Sequence, residues 1–276
     1  MAAIGLLNEL EIVKEVDFGL YLDGGEQGEI LLPKRYVPAN CKVGDQIEVF
    51  IYLDSEDRLI ATTETPLAMV GDFAMLKVVS TTPVGAFMEW GLQKDLLVPF
   101  REQQFPMEEG RNYLVFVYVD DETQRIVGSS KLDKFVDNLP VDYEAGEEVD
   151  LIIAGKTDLG YKAIIDNSHW GLIFKNEVFQ PLKTGDRLKG YIKNVRPDEK
   201  IDLVLQKPGY EKIDSIAQGV LDKLKEAGNF MPVNDKTDPN EISKLFGISK
   251  KNFKKAIGSL YKQRLITIED DGIKAV

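Results

Sequence analysis

From the N-terminus to about Pro208 the apolar residues come in short runs of period two, and beyond it they recur at helical spacing. Runs such as Gln46-Ile47-Glu48-Val49-Phe50-Ile51 and Asn112-Tyr113-Leu114-Val115-Phe116-Val117 are rich in β-branched and aromatic side chains. That composition suits pleated, half-buried strands. Acidic turns follow them, Asp54-Ser55-Glu56-Asp57 and Asp120-Asp121-Glu122-Thr123, and a last strand begins with Arg58 or Arg125.

Three segments share one order of features. The first runs Phe18-Gly19-Leu20-Tyr21-Leu22, Gly28-Glu29-Ile30-Leu31-Leu32-Pro33, Val43-Gly44-Asp45, then Ile47 to Leu53. The second runs Val84-Gly85-Ala86-Phe87-Met88, Asp95-Leu96-Leu97-Val98-Pro99, Glu109-Gly110, then Tyr113 to Val119. The third runs Leu159-Gly160-Tyr161-Lys162-Ala163, Gly171-Leu172-Ile173-Phe174, Thr184-Gly185-Asp186, then Leu188 to Val195. The early and late glycines stand 25 residues apart each time. An internal repeat at this spacing means one structural unit used three times. Five short strands per unit, with a glycine turn before the fourth, predict an OB-type barrel. The early glycine is expected at a bulge or sharp bend.

The tail has another character. Ile213, Ile216, Ala217, Val220, Leu221 and Leu224 form the stripe of an amphipathic helix that Gly228 ends. Asp238-Pro239-Asn240-Glu241 reads as a helix start, with Asp as cap and Pro in the first turn. That helix stops at Gly247, and Ser249 caps a third with Phe253, Ala256, Ile257, Leu260 and Tyr261 inward. Asp270-Asp271-Gly272 then joins two short strands as a hairpin. Three helices and a hairpin predict a winged helix-turn-helix.

The expected architecture is therefore mainly β: three tandem barrels over residues 1–66, 67–142 and 143–209, then a C-terminal α+β domain over 210–276. Charge modifies the picture. The net charge of −12 divides into −8, −6, 0 and +2 over residues 1–66, 67–146, 147–209 and 210–276, so any grip on phosphates is expected in the C-terminal half. No apolar run approaches the roughly 20 residues of a membrane span, and the N-terminus lacks the basic and apolar regions of a leader. A single cysteine, Cys41, fits a reducing cytoplasm.

The order Phe18-Gly19-Leu20-Tyr21-Leu22, Gly28-Glu29-Ile30-Leu31, Val43-Gly44-Asp45, Asp54…Arg58 resembles the S1 RNA-binding domain. The whole chain, tail included, is similar to the conserved virulence factor B family of bacterial S1-containing proteins. The resemblance implies that strand aromatics, a histidine-like position in the next strand, and an Asp and Arg near the fifth strand make the binding face. It also implies a post-transcriptional regulatory role. Carried over by position, repeat one offers Phe18, Tyr21, Asp54 and Arg58, with Leu31 at the histidine position. Repeat two offers Phe87, Asp121 and Arg125, with Val84 for the first aromatic and Val98 for the histidine. Repeat three has Phe174 at the histidine position, Leu159 and Lys162 for the aromatics, and Arg196 and Lys200 for the Asp and Arg.

Trp170 and Phe174 amid Lys162, Lys175, Lys189, Lys193, Arg196 and Lys200 make repeat three the expected RNA-binding barrel, since single strands are held by aromatic stacking and a basic groove. Lys250, Lys251, Lys254, Lys255 and Lys262, with no acid in 249–264, are expected to neutralise phosphates. Base reading wants bidentate Arg, Asn or Gln, of which this helix region has only Asn252, Gln263 and Arg264, so sequence-specific DNA recognition is disfavoured. Barrels one and two are expected to scaffold, dimerise or meet a protein partner. The expected partner is single-stranded RNA, with the ribosome or duplex nucleic acid as alternatives and no membrane.

Catalysis is not expected. His169 is the only histidine, four-cysteine sites and phosphate-cradling glycine loops are missing, and the acidic clusters fall on hairpin turns. His169 beside Trp170 is expected to stack or sit at the surface. No cofactor or metal is expected. Two readings of other classes remain: a winged-helix transcription regulator and a ribosome-associated protein scaffold.

Overall fold

A computed structural model describes residues 2–178, 180–206 and 215–276. The start of the predicted first helix stripe at Ile213, and Pro208, lie outside the described residues. The chain divides into two compact units, Met1–Leu203 and Val204–Val276.

The first unit holds three closed five-stranded barrels. Barrel 1 is β1 (Leu7–Val16), β2 (Gly19–Asp23), β3 (Glu29–Pro33), β4 (Gln46–Leu53) and β5 (Leu59–Thr62). Barrel 2 is β6 (Phe73–Thr82), β7 (Gly85–Glu89), β8 (Leu96–Pro99), β9 (Asn112–Val119) and β10 (Ile126–Ser129). Barrel 3 is β11 (Glu148–Lys156), β12 (Gly160–Ile165), β13 (His169–Phe174), β14 (Arg187–Val195) and β15 (Ile201–Val204). All three close in the order first-second-third-fifth-fourth, and the third and fifth strands run parallel. Closure pairs every strand edge, which is how such small sheets avoid exposed backbone.

The 25-residue glycine spacing has a structural cause. The late glycines Gly44, Gly110 and Gly185 have φ of 94°, 81° and 91°, a region glycine enters without steric cost. Their N–H groups donate to the carbonyls of Ile12, Val78 and Ile153 at 2.8, 2.8 and 2.7 Å. Those residues sit where each first strand bulges, between Ile12 and Lys14, Val78 and Ser80, and Ile153 and Gly155. So the bulge expected at the early glycine lies in the preceding strand. The early glycines do something else: a Cβ on Gly19, Gly85 or Gly160 would stand 2.1, 2.3 or 1.9 Å from the carbonyl oxygen of Leu32, Val98 or Ile173. They permit close approach of the second and third strands.

Barrels 1 and 2 meet through a continuous core. Phe50 of β4 is fully buried, with its ring edge-on to Trp90 at 5.8 Å. Lys94 Nζ donates to the carbonyls of Leu53 and Asp54 at 3.0 and 3.1 Å, and Arg125 pairs with Asp57 at 2.5 Å. Burial lowers the Lys94 pKa, and the two barrel 1 carbonyls accept the hydrogen bonds that water would otherwise take. Barrels 2 and 3 share a second cluster containing Phe73, Leu114, Ile152 and Ile164.

The segment between barrels 2 and 3 is fastened at both ends. Phe135 stacks on Phe116 at 4.3 Å, and Lys134 Nζ grips both oxygens of the buried Glu102 carboxylate at 2.8 and 2.9 Å. Asp137 accepts the Trp170 backbone N–H at 2.8 Å.

The second unit is a winged helix. It comprises α1 (Ser215–Glu226), β16 (Phe230–Met231), α2 (Pro239–Phe246), α3 (Lys250–Lys262), β17 (Ile266–Ile268) and β18 (Ile273–Ala275), with sheet order β16-β18-β17. Asp238 caps α2 through the Asn240 N–H, left-handed Gly247 ends it, and Ser249 caps α3 through the Asn252 N–H. Phe253, Ala256, Ile257 and Leu260 of α3 join Ala217, Val220, Leu221 and Leu224 of α1 in one core. Tyr261, expected inward, is exposed. The two-residue β16, too short to stand out in the sequence, completes the sheet.

Candidate nucleic-acid interface

In an OB barrel the strand-two aromatics, the facing residue of strand three and the tip of the fourth–fifth hairpin form one surface. The strand registers place these positions. Gly19, Gly85 and Gly160 face Pro33, Pro99 and Phe174; Tyr21, Phe87 and Lys162 face Leu31, Leu97 and Leu172. The residues at the third-strand position are therefore Leu31, Leu97 and Leu172. Val98 is fully buried in the barrel 2 core, and Phe174 stands beside the close-approach glycine, two residues from where counting along the sequence put it. In the hairpins Asp54, Asp120 and Arg196 each donate their backbone N–H to the carbonyl of Arg58, Arg125 and Lys200 at 2.9 Å. Asp120, and not Asp121, is thus the counterpart of Asp54.

The three faces differ. On barrel 1, Phe18 is 58% exposed and meets Tyr21 edge-on at 6.3 Å. Lys14 Nζ lies 5.5 Å from the Tyr21 ring centre, brought there because the β1 bulge sets Lys14 opposite Tyr21. Arg58 is held by Asp54 (Nε and NH2 to Oδ2 at 3.0 and 2.8 Å) and by Glu56 at 2.9 Å. Burial raises the Asp54 pKa, but hydrogen bonds from the Arg58 and Glu56 backbone and the Arg58 side chain outweigh it, and the carboxyl ends below its ordinary value. Lys14 was missed in the sequence because its place depends on the bulge.

On barrel 2 the same face is partly walled in by barrel 1. Phe87, Val84, Leu97 and Arg125 line a cavity of about 300 Å³ whose other wall is Tyr52 and Leu53 of barrel 1. Arg125 is engaged by Asp57, and Lys94 by the barrel 1 hairpin.

On barrel 3 the cations expected to grip phosphate are mostly paired. Lys162 bonds Asp133 at 2.9 Å, Lys189 bonds Asp150 at 2.9 Å, Lys193 bonds Glu177 at 2.5 Å, and Lys200 bonds Asp198 at 2.7 Å. Arg196 grips Asp202 with two bonds, of 3.0 and 2.7 Å, and lies 5.6 Å from the Phe174 ring centre. Lys175 is exposed and has no carboxylate partner among the described residues. Trp170 packs partly into the barrel 2–3 cluster, and its open face carries Lys162 Nζ at 3.6 Å. His169 neither stacks on a ligand face nor reaches the surface. It is 4% exposed, with Nδ1 at 3.1 Å from the Tyr143 hydroxyl and Nε2 at 2.9 Å from the Leu139 carbonyl. Burial pushes the Tyr143 hydroxyl up to about 12.

In α3, Lys251, Lys255 and Lys262 recur at helical spacing opposite the buried Phe253, Ala256, Ile257 and Leu260. They are exposed and, among the described residues, without carboxylate partners; Gly258 sits within the same stripe. Lys254 instead pairs with Asp235 at 3.5 Å, and half-buried Lys250 donates to the Lys236 carbonyl at 3.3 Å. The wing tip carries Glu269, Asp270 and Asp271. Among the described residues no cluster of three or more His, Cys, Asp or Glu is arranged to hold a metal ion, and no helix is long and apolar enough to cross a membrane.

The S1 domain family model matches residues 4–64 and 70–129, and the CvfB-like winged helix domain model matches 218–274. An uncharacterized protein, YitL, of Bacillus subtilis is 28% identical over 92% of this chain and 87% of its own length. Conserved virulence factor B of Staphylococcus epidermidis is 24% identical over 96% of this chain and 92% of its own. The crystal structure of a multidomain protein with nucleic acid binding domains from Streptococcus pneumoniae is 24% identical, spans 99% of this chain and 98% of that one, and has a TM-score of 0.43. With two matched S1 barrels, a third barrel of the same strand order and the matched winged helix, the chain belongs to the conserved virulence factor B-like proteins that join S1 domains to a CvfB-like winged helix.

Proposed function

We propose that this protein binds single-stranded RNA, with bases stacking on the face of barrel 1 and the α3 lysine stripe holding phosphates, and that it acts as a post-transcriptional regulator. One observation carries the reading: among the described residues, barrel 1 presents at this face an aromatic pair, exposed Phe18 and half-buried Tyr21, beside Lys14, a cation without a carboxylate partner among those residues. Stacking on such a pair contributes roughly 1–3 kcal/mol per base and tolerates any sequence. Barrel 3, whose cations are mostly engaged by carboxylates, becomes the weaker contributor. S1 and winged-helix domains as classes support a nucleic-acid partner, and the relatives named conserved virulence factor B support a regulatory role.

A winged helix that reads duplex DNA usually adds contacts from its wing. Here the wing tip carries Glu269, Asp270 and Asp271, of which only Asp270 has a cation partner (Lys236, at 3.4 Å) among the described residues, so the tip repels a phosphate backbone, and α3 offers lysines, which position a nucleic acid without reading bases. Competition between labelled single-stranded RNA and matched duplex DNA tests the reading. RNA should win at every salt concentration; a preference for duplex DNA would replace it with the transcription-regulator reading.

A further inference from the structure

Barrel 3 carries a feature that the contacts proposed for barrel 1 and α3 do not use. An open groove of about 690 Å³ runs across its outer face. One wall is the segment joining barrels 2 and 3, and the other is formed by the β11–β12 turn and the β14–β15 hairpin. The joining segment is a fixed wall, because Asp137 donates its N–H to the Ser168 carbonyl at 2.8 Å and accepts the Trp170 N–H, while Leu139 accepts from His169.

Three properties define what fits. First, the groove has apolar lining from each of its parts: Leu139 of the joining segment and Leu159 of the β11–β12 turn are 61% and 63% exposed, and Leu172 of β13 is half-buried. Large apolar side chains exposed together in a concavity mark an interaction site rather than ordinary surface. Second, its charge is negative. Asp158 and Glu199 have no cation partner among the described residues, whereas Lys162 and Lys200 are taken by Asp133 and Asp198. A phosphodiester backbone would meet net repulsion there, and a cationic partner net attraction. Third, Lys162 lies over the open face of Trp170, which is thereby closed to a stacking base. The strands of the floor have both edges paired, so the groove recognises side chains rather than adding a strand.

We propose that the barrel 3 groove is a docking site for an extended peptide segment of a partner protein that alternates apolar and cationic side chains. Leu139, Leu159 and Leu172 receive the apolar residues, and Asp158 and Glu199 pair with the cations. The RNA-binding family's ligand face has in this barrel become a protein-binding one, while barrel 1 and α3 keep the nucleic acid.

The test uses the full chain and a short labelled peptide alternating leucine with arginine, with its glutamate-for-arginine counterpart as control. The arginine peptide should bind in a salt-sensitive manner and the control should not. Leu139→Ser with Leu159→Ser, and separately Asp158→Asn with Glu199→Gln, should each weaken peptide binding about tenfold or more and leave the RNA titration unchanged. All four side chains sit on the surface, and circular dichroism of each variant confirms the fold. No peptide binding, peptide affinity that either variant leaves unchanged, or displacement of the peptide by single-stranded RNA would overturn the proposal. Because RNA affinity is read in the same experiment, loss of the barrel 1 reading would be seen separately.

Discussion

Replacing Lys134 by Met removes the only cation bonded, among the described residues, to the Glu102 carboxylate, whose side chain is 7% exposed. Breaking a deeply buried ion pair from one side costs about 3–5 kcal/mol. Lys134 itself is 49% exposed, so water reaches into the vacated space and the cost falls to roughly 1–3 kcal/mol, that of one poorly satisfied buried acceptor. For a unit of some two hundred residues each kcal/mol moves Tm by about 2–4 °C, so the variant should melt roughly 2–12 °C lower at pH 7. The pH dependence fixes the cause. Burial raises the Glu102 pKa, but hydrogen bonds from Lys134 and Ser129 and the charge of Lys134 outweigh it, leaving the folded pKa below the ordinary value. Such a group stabilises the fold fully above its unfolded pKa of about 4.3 and loses that contribution as pH falls through the folded value. The gap in stability between Lys134→Met and the parent should therefore be full at pH 7 and close as pH falls through the lowered folded pKa of Glu102. Urea titrations monitored by tryptophan fluorescence at pH 7 and below that pKa measure it. A gap of equal size at both, or none at pH 7, would refute the argument that the carboxylate is what suffers.

Three shorter expectations follow from the geometry. Gly160→Ala should destabilise the first unit by roughly 1–3 kcal/mol or more, since its Cβ would stand 1.9 Å from the Ile173 carbonyl oxygen, while Gly155→Ala in the same barrel, where a Cβ meets nothing, should be close to neutral in thermal melts. Phe87→Ala should leave RNA affinity unchanged in anisotropy titrations, because barrel 1 partly walls in that face; a loss comparable to that from Phe18→Ala would mean RNA reaches it. Changing Lys251, Lys255 and Lys262 to Ala should lower the slope of log affinity against log salt by up to about 2 for single-stranded RNA, at about 0.7 for each phosphate no longer neutralised.

The barrels were legible in the sequence because their main constraint is local and periodic. A left-handed glycine before the fourth strand ties back to the first-strand bulge, and a close-approach glycine opens the second strand, so three units show the same spacing. The winged helix was legible through its caps, Asp238 and Ser249, and through apolar stripes of period 3.6. The faces were less so. Which third-strand residue faces Tyr21, Phe87 or Lys162 depends on pairing register, and counting along the chain put Val98 and Phe174 where the register puts Leu97 and Leu172. The basic character of barrel 3 was overread for a related reason. Cations are visible in a sequence, but the carboxylates that neutralise them come from elsewhere in the chain: Asp133 for Lys162, Glu177 for Lys193, Asp202 for Arg196. His169 was misplaced because what buries it, Tyr143 and Leu139, belongs to the segment entering barrel 3. The wall that barrel 1 sets against barrel 2 has no local signal at all, since Lys94 and Arg125 reach residues of another repeat.

The most direct test of RNA binding through barrel 1 is the affinity of the full chain for labelled single-stranded RNA, measured by fluorescence anisotropy for the parent, for Phe18→Ala with Tyr21→Ala, and for Trp170→Ala. Phe18 is exposed and Tyr21 half-buried on the barrel's outer face, so the double variant, its fold checked by circular dichroism, should bind at least about tenfold more weakly, the loss of one or two stacked bases. Trp170→Ala should stay near the parent. Parent protein that binds no RNA at low salt, or a double variant that binds as well as the parent, would contradict the account.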